Sequence, residues 1–255
     1  MDGVEYVLHL GALIPIPYSY RHPREYVSAN VEGTINVLEA ARQRGVTRIV
    51  QTSTSEVYGT ALTVPIDEEH RLHPQSPYAA SKVAADQFAL SYQRSFETPV
   101  VIARPFNTYG PRQSARAVIP TILTQALSRS EIEIGATHPT RDFLYVGDTV
   151  RGLMACALAE NAEGEVVNLG TGVEISIGEL AERALGLLGL EVPLALAEER
   201  LRPPQSEVER LLADRSKARD LLRWEPEVDL EEGLRRTIEW LRGSLDAYRP
   251  SIYNV

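Results

Sequence analysis

One cysteine, Cys156, is all that the 255 residues contain, so no disulfide closes within the chain. It lies in the apolar, helix-like stretch 152–158 and reads as a core residue. No apolar run is long enough to span a bilayer, and no secretory leader is visible near the start, which together favour the cytoplasm. An excess of basic residues is also missing. Lys and Arg number 26 against 35 Asp and Glu, and the net charge of −9 argues against a general nucleic-acid-binding surface. His9, His22, His70, His73 and His138 show no metal-ligand spacing, so no metal site is expected. Internal repeats and low-complexity runs are absent. What is there is ordinary for a soluble globular protein, 44% hydrophobic and 24% charged, enough for one large or two small domains.

The first half alternates strand and helix patterns. Strands are predicted at 4–10, 48–53 and 99–104, and helices at 25–44 and 77–96. The first helix carries an apolar stripe at Val27, Val31, Ile35 and Leu38 and ends at Gly45. This order predicts an α/β fold with a doubly wound parallel sheet. The second half is more broken. Helices are expected at 118–129, 149–159, 177–188, 216–222 and 230–241, and short strands at 131–134 and 192–196. Ser176 and Glu179 form a capping-box pattern, and Arg202-Pro203-Pro204-Gln205 reads as a loop.

Tyr78 and Lys82, four residues apart, lie on one face of the helix that Ser76 caps and Pro77 opens. A cationic Lys82 beside Tyr78 is expected to favour the phenolate, giving a base that can deprotonate an alcohol while a hydride leaves the same carbon. The strand before this helix ends in Thr54-Ser55-Glu56, and ligands of open α/β sheets bind outside such strand ends.

Several stretches, in order, resemble the extended short-chain dehydrogenase/reductase family of NAD-dependent nucleotide-sugar epimerases and dehydratases. They are Val7-Leu8-His9-Leu10-Gly11-Ala12, Asn30-Val31-Glu32-Gly33-Thr34, Thr52-Ser53-Thr54-Ser55-Glu56-Val57-Tyr58-Gly59, Pro77-Tyr78-Ala79-Ala80-Ser81-Lys82, Arg104-Pro105-Phe106-Asn107-Thr108-Tyr109-Gly110-Pro111-Arg112, Thr140-Arg141-Asp142-Phe143, Asn168-Leu169-Gly170-Thr171-Gly172 and Ala213-Asp214-Arg215-Ser216-Lys217-Ala218. The resemblance implies a Rossmann-like part over residues 1–110 and a smaller, interleaved substrate lobe within 111–255. It implies NAD as cofactor, contacted by Tyr78, Lys82 and Pro105, and a UDP- or GDP-linked hexose as substrate. Tyr78 would be the base at the sugar 4-hydroxyl, with Thr54 bonding the same oxygen. Asn107, Arg141 and Arg202 would grip the diphosphate. Arginine suits that task through its bidentate donors and permanent charge. Asp148 and Asp214 are expected to tie loops, and Arg112 is a weaker candidate for the site.

Glu56 separates the chemistries within the family. A carboxylate near carbon 5 can remove the proton that a 4-ketone acidifies, after which water leaves from carbon 6. Simple 4-epimerases need no such base. Thr54-Ser55-Glu56 therefore resembles the 4,6-dehydratases of the GDP-mannose and legionaminic-acid type, with Ser55 where many hexose dehydratases carry Asp. A 4-epimerase and a non-catalytic nucleotide-sugar-binding remnant are the alternatives. The tyrosines of Ile14-Pro15-Ile16-Pro17-Tyr18-Ser19-Tyr20 are candidates to line the sugar pocket. Family members pair through helices equivalent to those holding 30–41 and 78–96, so the resemblance implies a homodimer; no membrane or nucleic-acid partner is expected.

A strand, Gly-rich turn and helix should open such a chain, because the glycines let the backbone approach the cofactor pyrophosphate. This sequence shows none near its start; Asn168-Leu169-Gly170-Thr171-Gly172 has the apolar Ile175 where a third glycine would fall. The expectation is that about two βαβ units, on the order of 60 residues, are missing. The chain alone would then bind NAD poorly and tend to associate. A short variant that has lost cofactor binding is the competing reading.

Overall fold

The computed structural model describes residues 2–249. Strand β1 (Tyr6–His9) is followed by helices α1 (Ile16–Arg21), α2 (Pro23–Tyr26) and α3 (Gly33–Arg44). Next come β2 (Arg48–Thr52), α4 (Pro77–Phe96), β3 (Val100–Pro105), β4 (Asn107–Tyr109), α5 (Val118–Ser128) and β5 (Ile132–Ile134). The chain continues with β6 (Thr140–Tyr145), α6 (Val146–Leu158), β7 (Val166–Leu169), β8 (Glu174–Ser176) and α7 (Ile177–Leu188). It closes with β9 (Leu194–Leu196), α8 (Ser216–Leu222) and α9 (Leu230–Arg242).

A parallel sheet in the order β1-β2-β3-β7 holds the first half together. Its central strands are apolar along both faces because helices cover both. The pleat sends alternate residues opposite ways. Ile49, Val100 and Ile102 therefore meet Leu38 and Ala41 of α3 and Ala89 of α4. Val50, Val101 and Val167 face Leu153 and Cys156 of α6 and Leu222 of α8. Each such buried aliphatic side chain stabilises by about 1.5–3 kcal/mol. Helices on both faces make this the doubly wound α/β arrangement that the alternation predicts, with Cys156 in its core.

A second layer carries β4-β6-β8, with β5 and β9 paired beside it. Ile119 and Ile122 of α5, Leu180 of α7, and Leu234 and Ile238 of α9 share its core with Phe143. Only Phe106 separates β3 of the first sheet from β4 of the second, so the chain crosses between layers at that residue. β7 then returns to the first sheet after β6 and α6. The two layers therefore interleave in sequence.

Two details depart from expectation. The helix predicted over 25–44 is broken by a π-turn at Val27–Glu32, which rotates the apolar face. Val27 is consequently 51% exposed, and the buried stripe begins at Val31. Helix α6 starts at Val146, three residues early, so that Asp148 falls in its first turn and accepts the Glu227 and Val228 amides. Asp148 and Asp214 both act as loop ties, Asp214 by accepting the Ser216 amide. Among the described residues no helix is long and apolar enough to cross a membrane.

Candidate active site

Helix α4 is set by its start. Ser76 Oγ accepts the Ala79 amide at 3.1 Å and Pro77 occupies the first turn, which puts Tyr78 in the cavity wall and Lys82 one turn further along the helix. From β2, whose C-terminal end lies alongside, the chain turns into a short 3-10 segment, Ser55–Tyr58, capped by Thr54 Oγ1, which accepts the Glu56 amide at 3.3 Å. Gly59 ends that segment at φ 65°, a conformation glycine adopts without strain. Thr54, Ser55, Glu56 and Tyr78 thus line one cavity of about 460 Å³, together with Pro105, Asn107 and Arg202. The phenol and the Glu56 carboxylate share a cleft, and the charge of Glu56 is felt at Tyr78.

Burial raises the Tyr78 hydroxyl above its ordinary range; a hydrogen bond with Thr54 opposes this, and Glu56 adds to it. The expectation that Lys82 makes the phenol more acidic is therefore corrected. Lys82 is itself buried, which lowers its ammonium, while Asp86 pulls it back up. Its Nζ donates to the Thr52 carbonyl at 2.5 Å, and it does not line the cavity. Asp86, one further turn along α4, anchors a buried chain that the sequence did not single out. Its Oδ2 accepts from Ser53 Oγ at 2.7 Å and from Arg104 Nε and Nη2 at 3.2 and 3.1 Å. Arg104 Nη1 donates to Tyr58 Oη, and Tyr58 donates to Asn168 Oδ1. Asp86 holds the Arg104 guanidinium above its usual range despite the opposing effect of burial.

The arginines converge around carboxylates. Arg202 Nη1 lies 3.5 Å from Glu56 Oε2 and 3.6 Å from Glu207 Oε1. Arg141 Nη2 reaches the same Glu207 oxygen at 3.3 Å. Arg141 lines a second cavity of about 280 Å³ that meets the first at Asn107 and Arg202. Asn107 Oδ1 is buried and has no hydrogen-bond partner, so it is available to a ligand. Glu207 was missed by sequence reasoning; its one signal is its place five residues beyond Arg202 in the same loop. Arg116, exposed and lining both cavities, had no signal at all.

Other expectations need correction. Tyr18 and Tyr20 do not line the cavity: α1 turns Tyr18 to Glu25 and Tyr20 to Ser206, and it is Ile14, Pro15, Ile16 and Pro17 that form the wall. Arg112 is exposed, has φ 67° and lines neither cavity.

A family model described as GDP-mannose 4,6 dehydratase matches residues 3–237. The chain belongs to that family. It is 35% identical over 246 residues to a putative UDP-glucose 4-epimerase of Methanocaldococcus jannaschii, aligned over 94% of this chain and 78% of that one. It is 32% identical over 250 residues to the dTDP-D-glucose 4,6-dehydratase of Mus musculus, covering 95% and 69% of the two. Among solved structures, DesIV, a dTDP-glucose 4,6-dehydratase of Streptomyces venezuelae with NAD bound, superposes with a TM-score of 0.89 at 30% identity, covering 97% of this chain and 76% of that one. The GDP-mannose 4,6-dehydratase family is thus one of NAD-dependent enzymes that holds both dehydratases and epimerases among this chain's relatives.

The residues present fit one end of NAD. At the C-terminal edge of the sheet, the buried Lys82 ammonium spends one of its three donors on Thr52, and Tyr78 and Pro105 line the cavity. That donor set suits a ribose and its attached ring. For the pyrophosphate, no Gly-rich turn follows β1 among the described residues. The loop at Gly170 is no substitute, because Thr171 and Gly172 already give their amides to Asp142. A Cβ on Gly170 would also lie 2.4 Å from that of Ala213, so this glycine serves packing.

Proposed function

We propose that this chain acts as an NAD-dependent nucleotide-sugar 4,6-dehydratase. The observation that carries the reading is a carboxylate, Glu56, in one cleft with Tyr78 and Thr54 and beside Arg202 and Asn107. Tyr78 takes the proton of the sugar 4-hydroxyl, and Thr54 holds that oxygen. The chemistry NAD supplies when bound is acceptance and return of the hydride. With carbon 4 oxidised, the carbon-5 proton is acidic, and Glu56 removes it. Protonated Glu56 then hands that proton to the departing carbon-6 hydroxyl, since Ser55 is too weak an acid to do so. Lys82 and Pro105 border the cofactor end, and Asn107, Arg141 and Arg202 hold the diphosphate by charge-assisted bonds. The substrate class is a UDP- or GDP-linked hexose. We propose a homodimer through α3 and α4, a reading supported by Phe88 at 40% and Phe96 at 51% exposure on α4.

The test is product analysis with NAD and a panel of UDP-, GDP- and dTDP-hexoses. In a version that carries a Gly-rich βαβ segment before β1, a 4-keto product bearing a 6-methyl group is expected, and Glu56→Gln there should lower its rate by at least about 100-fold, the usual scale for a general base. A 4-epimer lacking the 6-methyl group would instead establish the epimerase reading, which the epimerase among the relatives favours. An unchanged rate in Glu56→Gln would remove Glu56 from the chemistry.

A further inference from the structure

The two arginines and two glutamates at the junction of the cavities are not equivalent. Arg202 Nη1 sits between two carboxylates at 3.5 and 3.6 Å, too far for a good hydrogen bond to either, and it is buried without a hydrogen-bond partner. Phosphate oxygens would satisfy it at the shorter range typical of charge-assisted bonds. Glu207 is fixed independently. Its backbone carbonyl accepts from Gln75 Nε2 at 2.8 Å, and its Oε1 accepts from the Val208 amide at 3.1 Å and pairs with Arg141. Glu56 is less firmly held: among the described residues, Arg202 is the ion-pair partner of its carboxylate, and Arg141 acts on it through charge without an ion pair. If Arg202 turns away, Glu207 keeps its ion pair with Arg141, whereas Glu56 keeps only the longer-range charge of Arg141.

We infer that Arg202 is an ion-pair switch: the diphosphate of an incoming nucleotide draws it off Glu56, and only then is that carboxylate free to act on the sugar. This rests on the dehydratase reading for the role of Glu56, but the exchange itself is a property of binding. Before ligand, Arg141 and Arg202 balance Glu56 and Glu207. A diphosphate adds negative charge to that quartet and competes for its cations. Binding energy from the non-reacting end of the substrate is thereby used at the reacting carbon. A free hexose would occupy the cleft without releasing the base.

Competition for one guanidinium is reciprocal, so removing Glu56 must tighten diphosphate binding, and must do so through Arg202. Calorimetric titration with UDP, with dTDP and GDP run alongside, tests this on the purified chain and on Glu56→Gln, Arg202→Met and the double variant. Glu56→Gln is expected to bind at least about fivefold tighter, the lower end of typical coupling factors. In the Arg202→Met background the same change should alter affinity by less than about twofold, the limit of additive behaviour at unlinked sites. Equal gains in both backgrounds would mean that Glu56 acts as a distant like charge, and would overturn the switch. No gain from Glu56→Gln would also overturn it. Arg202→Lys serves as a second background should the methionine variant fold poorly, and there the gain should persist in reduced form. Coupling without any 6-methyl product would sink the dehydratase reading and leave the switch standing.

Discussion

Asp86 is fully buried, and three donors converge on one of its oxygens. Replacing it by alanine leaves Arg104, 3% exposed, as an unpaired interior charge and takes the acceptor from Ser53. Breaking a buried pair by removing one partner costs about 3–5 kcal/mol. In a chain of this size each kcal/mol corresponds to roughly 2–4 °C, so Asp86→Ala should unfold about 6–20 °C lower. The cost of the single change is the cost of an orphaned charge more than the net worth of the pair. Asp86→Leu combined with Arg104→Met removes both charges at similar volume, and Tyr58 keeps its bond to Asn168. That double variant should recover most of the loss, short of what the buried Lys82 forfeits without Asp86. Urea unfolding at neutral pH, with slopes compared to confirm two-state behaviour, gives both numbers. A single-variant loss below about 1 kcal/mol, or a double variant as unstable as the single, would refute the view of Asp86 as counter-charge to Arg104.

Two further predictions follow from local geometry. At Gly59 a Cβ would lie 2.2 Å from the His73 carbonyl at a φ of 65°, so Gly59→Ala should cost at least about 1–3 kcal/mol and displace the segment bearing Glu56. Gly186→Ala, where a Cβ meets nothing within 4 Å, is the control and should be neutral or stabilising by about 1 kcal/mol in a melting assay. Burial pushes the Cys156 thiol from 9.0 up to about 12. Between those values the folded chain holds a proton that the unfolded chain has lost, so stability falls as pH rises past 9, by about 1.4 kcal/mol per unit from this group. Tyr58, also pushed up to about 12, adds the same slope above 10. Urea midpoints at pH 8, 9 and 10 should therefore drop in wild type and drop less in Cys156→Ala; parallel curves would count against the assignment.

Local signals carried much of the fold. The Ser76-Pro77 start of α4, the Ser176/Glu179 capping box, which closes with the Glu179 amide 3.2 Å from Ser176 Oγ, and the apolar central strands are encoded within a few residues of where they act. The link between Thr54-Ser55-Glu56 and Tyr78 was legible because strand ends and the following helix meet at one sheet edge. Strands β4, β6 and β8 were not legible: two have three residues each, and all three are defined by partners far along the chain. Val27 was misread because a π-turn shifts the helical phase by a residue that periodicity does not reveal. The error over Tyr78 has a different origin. Spacing puts Lys82 on the same face, but it does not say how deeply the phenol lies, and burial is the largest influence on that hydroxyl.

That depth has a consequence for the proposed roles of Tyr78 and Glu56 as bases. Tyr78 is held neutral by burial, and Glu56 is engaged by Arg202. The phenol is restrained by burial and the carboxylate by its ion pair, which are opposite means. A buried phenol ionises when positive charge comes close, whereas a carboxylate paired with a guanidinium is released when negative charge comes close. On the proposed function, a cationic nicotinamide ring would be held beside Tyr78 and a diphosphate beside Arg202, and these are charges of the required signs. Each ligand would then activate the base nearest to it, and a cleft holding only one of them would have only one working base. On the dehydratase proposal, proton removal at the 4-hydroxyl and at carbon 5 is thereby confined to the fully loaded site.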